Sequence, residues 1–231
     1  NARLNAELLL CSVTGEKRIE LYLNFEKPLT PEEVSAYRNK VKRRLKHEPL
    51  QYILGKTEFY GLGFNVNPSV LIPRQESELI VDLVLEYIKL NSLKAPKILE
   101  IGTGSGCLSA AIASGTSCNI DAVDISAGAI ETSKINAAGI ELKGNINFEV
   151  KDFLKDINTF NGYDIVISNP PYIAADEVPG LNEEVNAFEP YEALTDGSDG
   201  LTFYRKIFKI YNESEVKPEI FLETGDGKFE L

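Results

Sequence analysis

The sequence predicts an α/β chain: a mainly parallel, twisted sheet covered by helices, preceded by a small all-helical domain and a β-hairpin linker. Three observations carry that prediction. Helical signals dominate residues 1–47, residues 56–72 are rich in Phe, Tyr, Gly and Val without a helical period, and from Ser77 onward short apolar runs alternate with helical stretches. Alternation of that kind is the pattern of parallel strands with helices packed on both faces of the sheet.

The elements follow in order. Thr30-Pro31-Glu32-Glu33 joins a capping box to a proline at the first helical position. It opens a helix predicted from Pro31 to His47, with Val34, Tyr37, Val41 and Leu45 on one stripe. Arg38, Lys40, Lys42, Arg43, Arg44 and Lys46 make this helix basic, either as a solvated face or as a docking surface for a partner of acidic or RNA character. Residues 56–72 read as a hairpin that ends at the active-site edge, with Phe59 and Tyr60 as packing residues. Lys97 to Ile101 is a short apolar run that opens into Gly102-Thr103-Gly104-Ser105-Gly106 and then the small residues Cys107 to Ala113: strand, glycine loop, helix. Ile120 to Asp124, Ile146 to Val150, Tyr163 to Ser168 and Glu219 to Thr224 read as further strands, and Ser126 as the N-cap of a helix from Ala127 to Ala138. The expected boundaries are 1–55 for the helical domain, 56–73 for the linker and 74–231 for the catalytic domain.

Two loops carry the chemistry. The first is Asn169-Pro170-Pro171-Tyr172, which ends the run Tyr163 to Ser168. Tandem prolines fix their own φ and push the preceding residues toward extended geometry, so the Asn169 side chain and the Pro170 carbonyl are aimed in advance. An amide oxygen and a backbone carbonyl can accept both hydrogens of one planar NH2 group while an aromatic ring stacks on its face. Alone, the four residues are equally a proline turn leaving a strand. The second loop has the form E-x-G-x-G-x-G from Glu100 to Gly106, not the G-x-G-x-x-G of a dinucleotide site, so no diphosphate signature is present. Asp124 falls 22 residues after Gly102, about where a ribose-binding acid stands in a βαβ unit, and it could equally cap the following helix. Asp152 follows the next strand, where it could accept a hydrogen bond from an adenine amino group.

These residues resemble the class I S-adenosylmethionine-dependent methyltransferases, which have a Rossmann-like fold. The resemblance implies Glu100 to Gly106 as the cofactor loop, Asp124 as the ribose acid and Asn169 to Tyr172 as the amino-methylating tetrapeptide. That tetrapeptide is shared by enzymes that methylate adenine in nucleic acids and by enzymes that methylate the side-chain amide of glutamine. Further stretches resemble the HemK/PrmC family of release-factor glutamine methyltransferases: Glu7 to Leu10, Glu48 to Gly55, Glu58 to Gly61 and Val70 to Arg74, then Glu189-Pro190, Ala193-Leu194, Asp199-Gly200-Leu201 and Phe203-Tyr204. One departure stands out. The family pattern Pro-Arg-Pro-Glu/Asp-Thr-Glu reads here Pro73-Arg74-Gln75-Glu76-Ser77-Glu78, which loosens the turn around Arg74.

The resemblance implies S-adenosylmethionine as cofactor, S-adenosylhomocysteine as product, and a cofactor site of Glu100, Gly102, Thr103, Gly104, Gly106, Asp124, Ile125, Asp152, Phe153 and Asn169. It implies a substrate site of Asn169, Pro170, Pro171, Tyr172 and Arg74, with Asn169, Pro170 and Tyr172 as catalytic residues and no metal. Arg74 could instead pair with Glu76 or Glu78 at a helix start. The implied partner is a peptide chain release factor, met by a helical substrate-recognition domain on a monomeric enzyme. Two further strands are expected to close the sheet.

Composition bears on the substrate. Residues 1–90 carry 13 Lys+Arg against 12 Asp+Glu, whereas residues 91–231 carry 11 against 23, within a net charge of −11. A phosphate backbone is held by Lys and Arg, so this acidity argues against duplex DNA. The odd set Cys11, Cys107 and Cys118 has no metal or redox spacing and suits a reducing compartment. No secretory or membrane-spanning stretch is evident, which makes the expected location cytoplasmic. The acid-rich stretch 174–200, flanked by Pro179-Gly180 and Gly197, is expected to form a mobile lid, with a disordered surface loop as the alternative.

Overall fold

A computed structural model describes residues 1–225. The chain opens with four helices, α1 (Ala2–Thr14), α2 (Arg18–Leu23), α3 (Pro31–Arg44) and α4 (Leu50–Leu54). The capping box forms as the sequence requires: the Thr30 hydroxyl accepts from the Glu33 backbone N–H at 3.2 Å, and the Glu33 carboxylate accepts from the Thr30 N–H at 2.8 Å. Helix α3 stops at Arg44, before the expected His47, because His47 takes a left-handed φ of 63° and ends the ladder in a turn.

A hairpin follows, β1 (Lys56–Phe59) paired antiparallel with β2 (Leu62–Asn65). Its turn places Tyr60 and Gly61 at φ 52° and 71°. A tyrosine tolerates that region here because its N–H donates to the Glu78 carboxylate and its hydroxyl to Asp82, each at 2.7 Å. Phe59 and Phe64 are buried edge to face, so the hairpin is packing, as its composition suggested.

The remainder alternates: α5 (Glu78–Leu90), β3 (Lys97–Ile101), α6 (Cys107–Gly115), β4 (Asn119–Asp124), α7 (Ala127–Ala138), β5 (Asn145–Val150), α8 (Phe153–Asp156) and β6 (Ile165–Ser168). Short helices α9 (Glu183–Asn186) and α10 (Tyr191–Leu194) cross the mouth of the sheet before α11 (Thr202–Glu213) and β7 (Glu219–Leu222). Among the described residues, five strands form one parallel sheet in the order β5-β4-β3-β6-β7. The chain winds outward from β3 in one direction and then from β6 in the other. The carboxyl ends of β3 and β6 therefore flank the switch point where such sheets bind ligands.

The core has two layers, one per sheet face. Ile98, Ile120, Ala122, Ile165 and Ile167 point toward α5, α6 and α7, while Leu99, Ile101, Val123 and Val166 point toward Phe160 and α11. Strict alternation along each strand produces this division. The two closing strands implied by the family resemblance lie outside the described residues. Among those residues no helix is long and apolar enough to cross a membrane.

Candidate active site

A cavity of about 320 Å³ opens at the carboxyl edge of the sheet, between the loops that leave β3, β4, β5 and β6. Its floor is the glycine loop. Gly102, Gly104 and Gly106 sit at φ 74°, 55° and 77°, a region that side chains rarely adopt. At Gly102 and Gly104 no atom stands within 4 Å of where a Cβ would be, so the backbone is bare toward the cavity. Gly106 serves a different end: a Cβ there would meet Ser133 Cβ at 2.8 Å, so its absence lets α6 pack against α7, and Gly106 is not part of the cavity wall.

Acidic groups surround this floor. Asp124 Oδ2 accepts from the Gly104 N–H and Oδ1 from the Ser126 N–H, both at 2.9 Å, which holds the loop and the start of α7 together. Burial raises the Asp124 carboxyl above its ordinary range, and those two hydrogen bonds oppose the shift. Glu100, at the end of β3, is 1% exposed and takes hydrogen bonds on Oε2 from the Thr103 and Ser109 hydroxyls. Its other oxygen, Oε1, is buried with no partner among the described residues, and burial pushes the carboxyl up to about 7. A buried acceptor left open costs free energy unless a ligand donates to it.

Asp152 is more occupied than the sequence suggested. Its Oδ1 caps α8 by accepting from the Leu154 N–H at 3.0 Å, and its Oδ2 pairs with Lys155 at 2.8 Å, although the residue still lines the cavity. Ile125 also lines it, 58% exposed beside Asp124. Phe153 is buried against Phe203, their rings stacked at 5.9 Å and 19°, and both reach the wall.

At the far side, Asn169 and Pro171 form the wall where β6 ends. The Asn169 Nδ2 donates to the Ser77 hydroxyl at 3.2 Å, which leaves Oδ1 as the amide's free accepting end. Pro170 is buried, and neither it nor Tyr172 lines the cavity. The Tyr172 backbone instead lies against Gly200, where a Cβ would stand 2.2 Å from the Tyr172 carbonyl oxygen. Gly200, at φ 76°, is thus the residue that lets the tetrapeptide loop settle.

Arg74 finds neither Glu76 nor Glu78. Its guanidinium donates to Glu189 Oε1 at 2.7 Å, and Glu189 Oε2 accepts from the Ile72 N–H at 3.3 Å. The Glu189 side chain is 2% exposed, so this pair ties the segment after the hairpin to the loop that crosses the site. The stretch 174–200 expected as a lid is a run of short helices. It is fastened by that pair, by Arg44 with Glu184, and by the bridge of Ile173 with Thr195. Ser77, Phe203 and Glu189 were not singled out from the sequence as site residues, and only the family stretches around them gave a signal.

Known proteins resemble this chain along its whole length. Residues 1–55 match the family described as the PrmC N-terminal domain, and residues 78–184 match the methyltransferase small domain. The release factor glutamine methyltransferase of Geobacter sulfurreducens is 45% identical, covering all of this chain and 79% of its own length. That of Clostridium acetobutylicum is 42% identical over 93% of this chain and 75% of its own, and that of Bacillus subtilis 38% over 88% and 72%. Among solved structures, the SAM-dependent methyltransferase from Agrobacterium tumefaciens is a distant likeness, with a TM-score of 0.40 and 19% identity over 50% of this chain and 39% of that one. The chain belongs to the release factor glutamine methyltransferase family, and it is an S-adenosylmethionine-dependent methyltransferase.

Proposed function

We propose that this chain methylates the side-chain amide nitrogen of a glutamine in a peptide chain release factor, with Asn169 as the group that recognises the amide. One observation carries the reading: the Asn169 nitrogen is held by Ser77, so its oxygen is the accepting end on a cavity whose opposite wall is the bare glycine loop. The cavity suits a nucleoside with a cationic tail. Gly102, Thr103, Gly104 and Asp124 would hold the sugar and the amino acid portion, and the open Glu100 Oε1 answers to a donor such as an α-ammonium. Ile125, Asp152 and Phe153 would enclose the base. S-adenosylmethionine supplies an electrophilic methyl group on a sulfonium.

A primary amide nitrogen is a poor nucleophile because its lone pair is delocalised into the carbonyl. The protein's task is therefore alignment and polarisation of the N–H bonds. Asn169 Oδ1 would accept an amide hydrogen, with Pro170, Pro171 and Tyr172 shaping the loop that aims it, so that the nitrogen faces the methyl group in line. Once methylated the nitrogen is strongly acidic, and its proton passes to water without a strong base. Arg74 would contribute by fixing the loop over the amide through Glu189. The helical segment 1–55 would dock the release factor, as the substrate-recognition part of a chain acting as a monomer in the cytoplasm.

The test is direct. Incubation with labelled S-adenosylmethionine and either a release-factor domain or adenine-containing RNA, followed by mass spectrometry, should place the label on one glutamine. Label on adenine, or none on protein, overturns the reading.

A further inference from the structure

We propose that Glu223 is a positioning residue for the transfer: acting with Ser77, it dictates which end of the Asn169 carboxamide faces the substrate. The inference rests on the reading of Asn169 as the amide acceptor. It starts from strand register. Strands β6 and β7 are paired in parallel with Ser168 opposite Leu222, so the next residues on each, Asn169 and Glu223, leave the sheet side by side. The Glu223 N–H donates to the Ser168 carbonyl at 3.0 Å, and the Tyr204 hydroxyl donates to the Glu223 carbonyl at 2.7 Å, so its backbone is fixed on both sides.

The two ends of a carboxamide have nearly the same shape, so packing cannot choose between them and hydrogen-bond partners must. Glu223 supplies an unambiguous polarity. Its Oε2 accepts the Ser77 hydroxyl proton, and the Ser77 oxygen in turn accepts from Asn169. An ionised carboxylate can only accept, and the Ser77 hydrogen bond favours that form against the burial that raises the Glu223 carboxyl above its ordinary range. Ser77, 3% exposed, has one proton and has given it to Glu223, so its oxygen is left as an acceptor for the Asn169 Nδ2. The inward partner of Asn169 therefore demands its nitrogen, and Oδ1 is turned outward. A flipped amide would oppose an NH2 group to the NH2 of the substrate. Holding a half-buried carboxylate at the end of β7 costs desolvation energy, which is the mark of a functional group more than of a stabilising one.

The experiment uses the full chain, a release-factor domain as substrate, and calorimetry with S-adenosylhomocysteine. Asn169→Ala comes first: wild-type turnover in that variant would mean that the reading of the site itself has failed. With Asn169→Ala inactive, Glu223→Gln and Ser77→Ala are expected to lower kcat by roughly 10- to 100-fold while the product's Kd stays within about 3-fold. In an Asn169→Asp background both ends of the side chain are oxygens, so adding Glu223→Gln should cost no further kcat. Where Asn169→Asp turns over too slowly for comparison, exchange of the Asn169 side-chain amide protons decides, with a rise of about 10-fold or more expected in Ser77→Ala. Wild-type kcat in Glu223→Gln and Ser77→Ala, an equal loss in both Asn169 and Asp backgrounds, or unchanged amide exchange would each overturn the positioning role alone.

Discussion

Glu100 holds one oxygen open in a buried setting, and its protonation should govern cofactor binding. Its carboxyl titrates near 7 in the free protein, and a cationic donor is best met by the ionised form. Affinity for S-adenosylmethionine should therefore fall as pH drops below about 7, by at most tenfold per pH unit, and Glu100→Gln should flatten the profile in titration calorimetry. The stability effect has the opposite direction. Because the folded value of about 7 lies above the ordinary carboxyl value of 4.5, the cofactor-free protein loses stability as pH rises between them, and thermal melts of Glu100→Gln should lack that slope. Asn169→Ala removes an acceptor of the substrate alone, so turnover should fall by a factor on the order of hundreds with cofactor affinity nearly intact. Much of this chemistry was legible: Glu100, Gly102, Gly104, Asp124 and Asn169 all reach the cavity from positions their motifs marked. Gly106 and Tyr172 do not, because a motif records which residues recur together without separating those that touch a ligand from those that let neighbours pack.

Among the elements, the start of α3 offers a clean measurement. Thr30→Ala breaks one half of a capping box on an exposed helix end far from the cavity, so it should cost about 1 kcal/mol in denaturant unfolding and leave kcat unchanged. Strands β3 and β6 could be read because each is a short apolar run buried on both faces, and β5 because Ile146, Phe148 and Val150 alternate with polar residues. Helix α7 was readable from Ser126, whose hydroxyl accepts from the Ala129 N–H at 3.2 Å. Helices α9 and α10 were not. Four residues make scarcely one turn, leave no periodicity, and are held by tertiary ties such as Arg44 to Glu184. Register was equally hidden: nothing in the chain announces that Ser168 lies opposite Leu222, which is why Glu223 went unnoticed until the sheet was assembled.

For the molecule as a whole, the surplus of acidic residues after position 90 sets a repulsive field for phosphates. The expected outcome is no retardation of duplex DNA in a gel at about 0.15 M salt, where exposed charges are already screened beyond roughly 8 Å. A salt-sensitive shift would show that the basic face of α3 outweighs the acidic half. The arrangement of the sheet also bears on biosynthesis. The nucleoside half of the cavity is assembled from β3, β4 and β5, whereas the carboxylate that orients Ser77, and through it Asn169, arrives only with β7. A ribosome makes these strands in that sequence, so a nascent chain halted before residue 223 would be able to take up the methyl donor yet unable to present an aligned acceptor. The orientation of the acceptor amide would then be set later in synthesis than the pocket for the methyl donor.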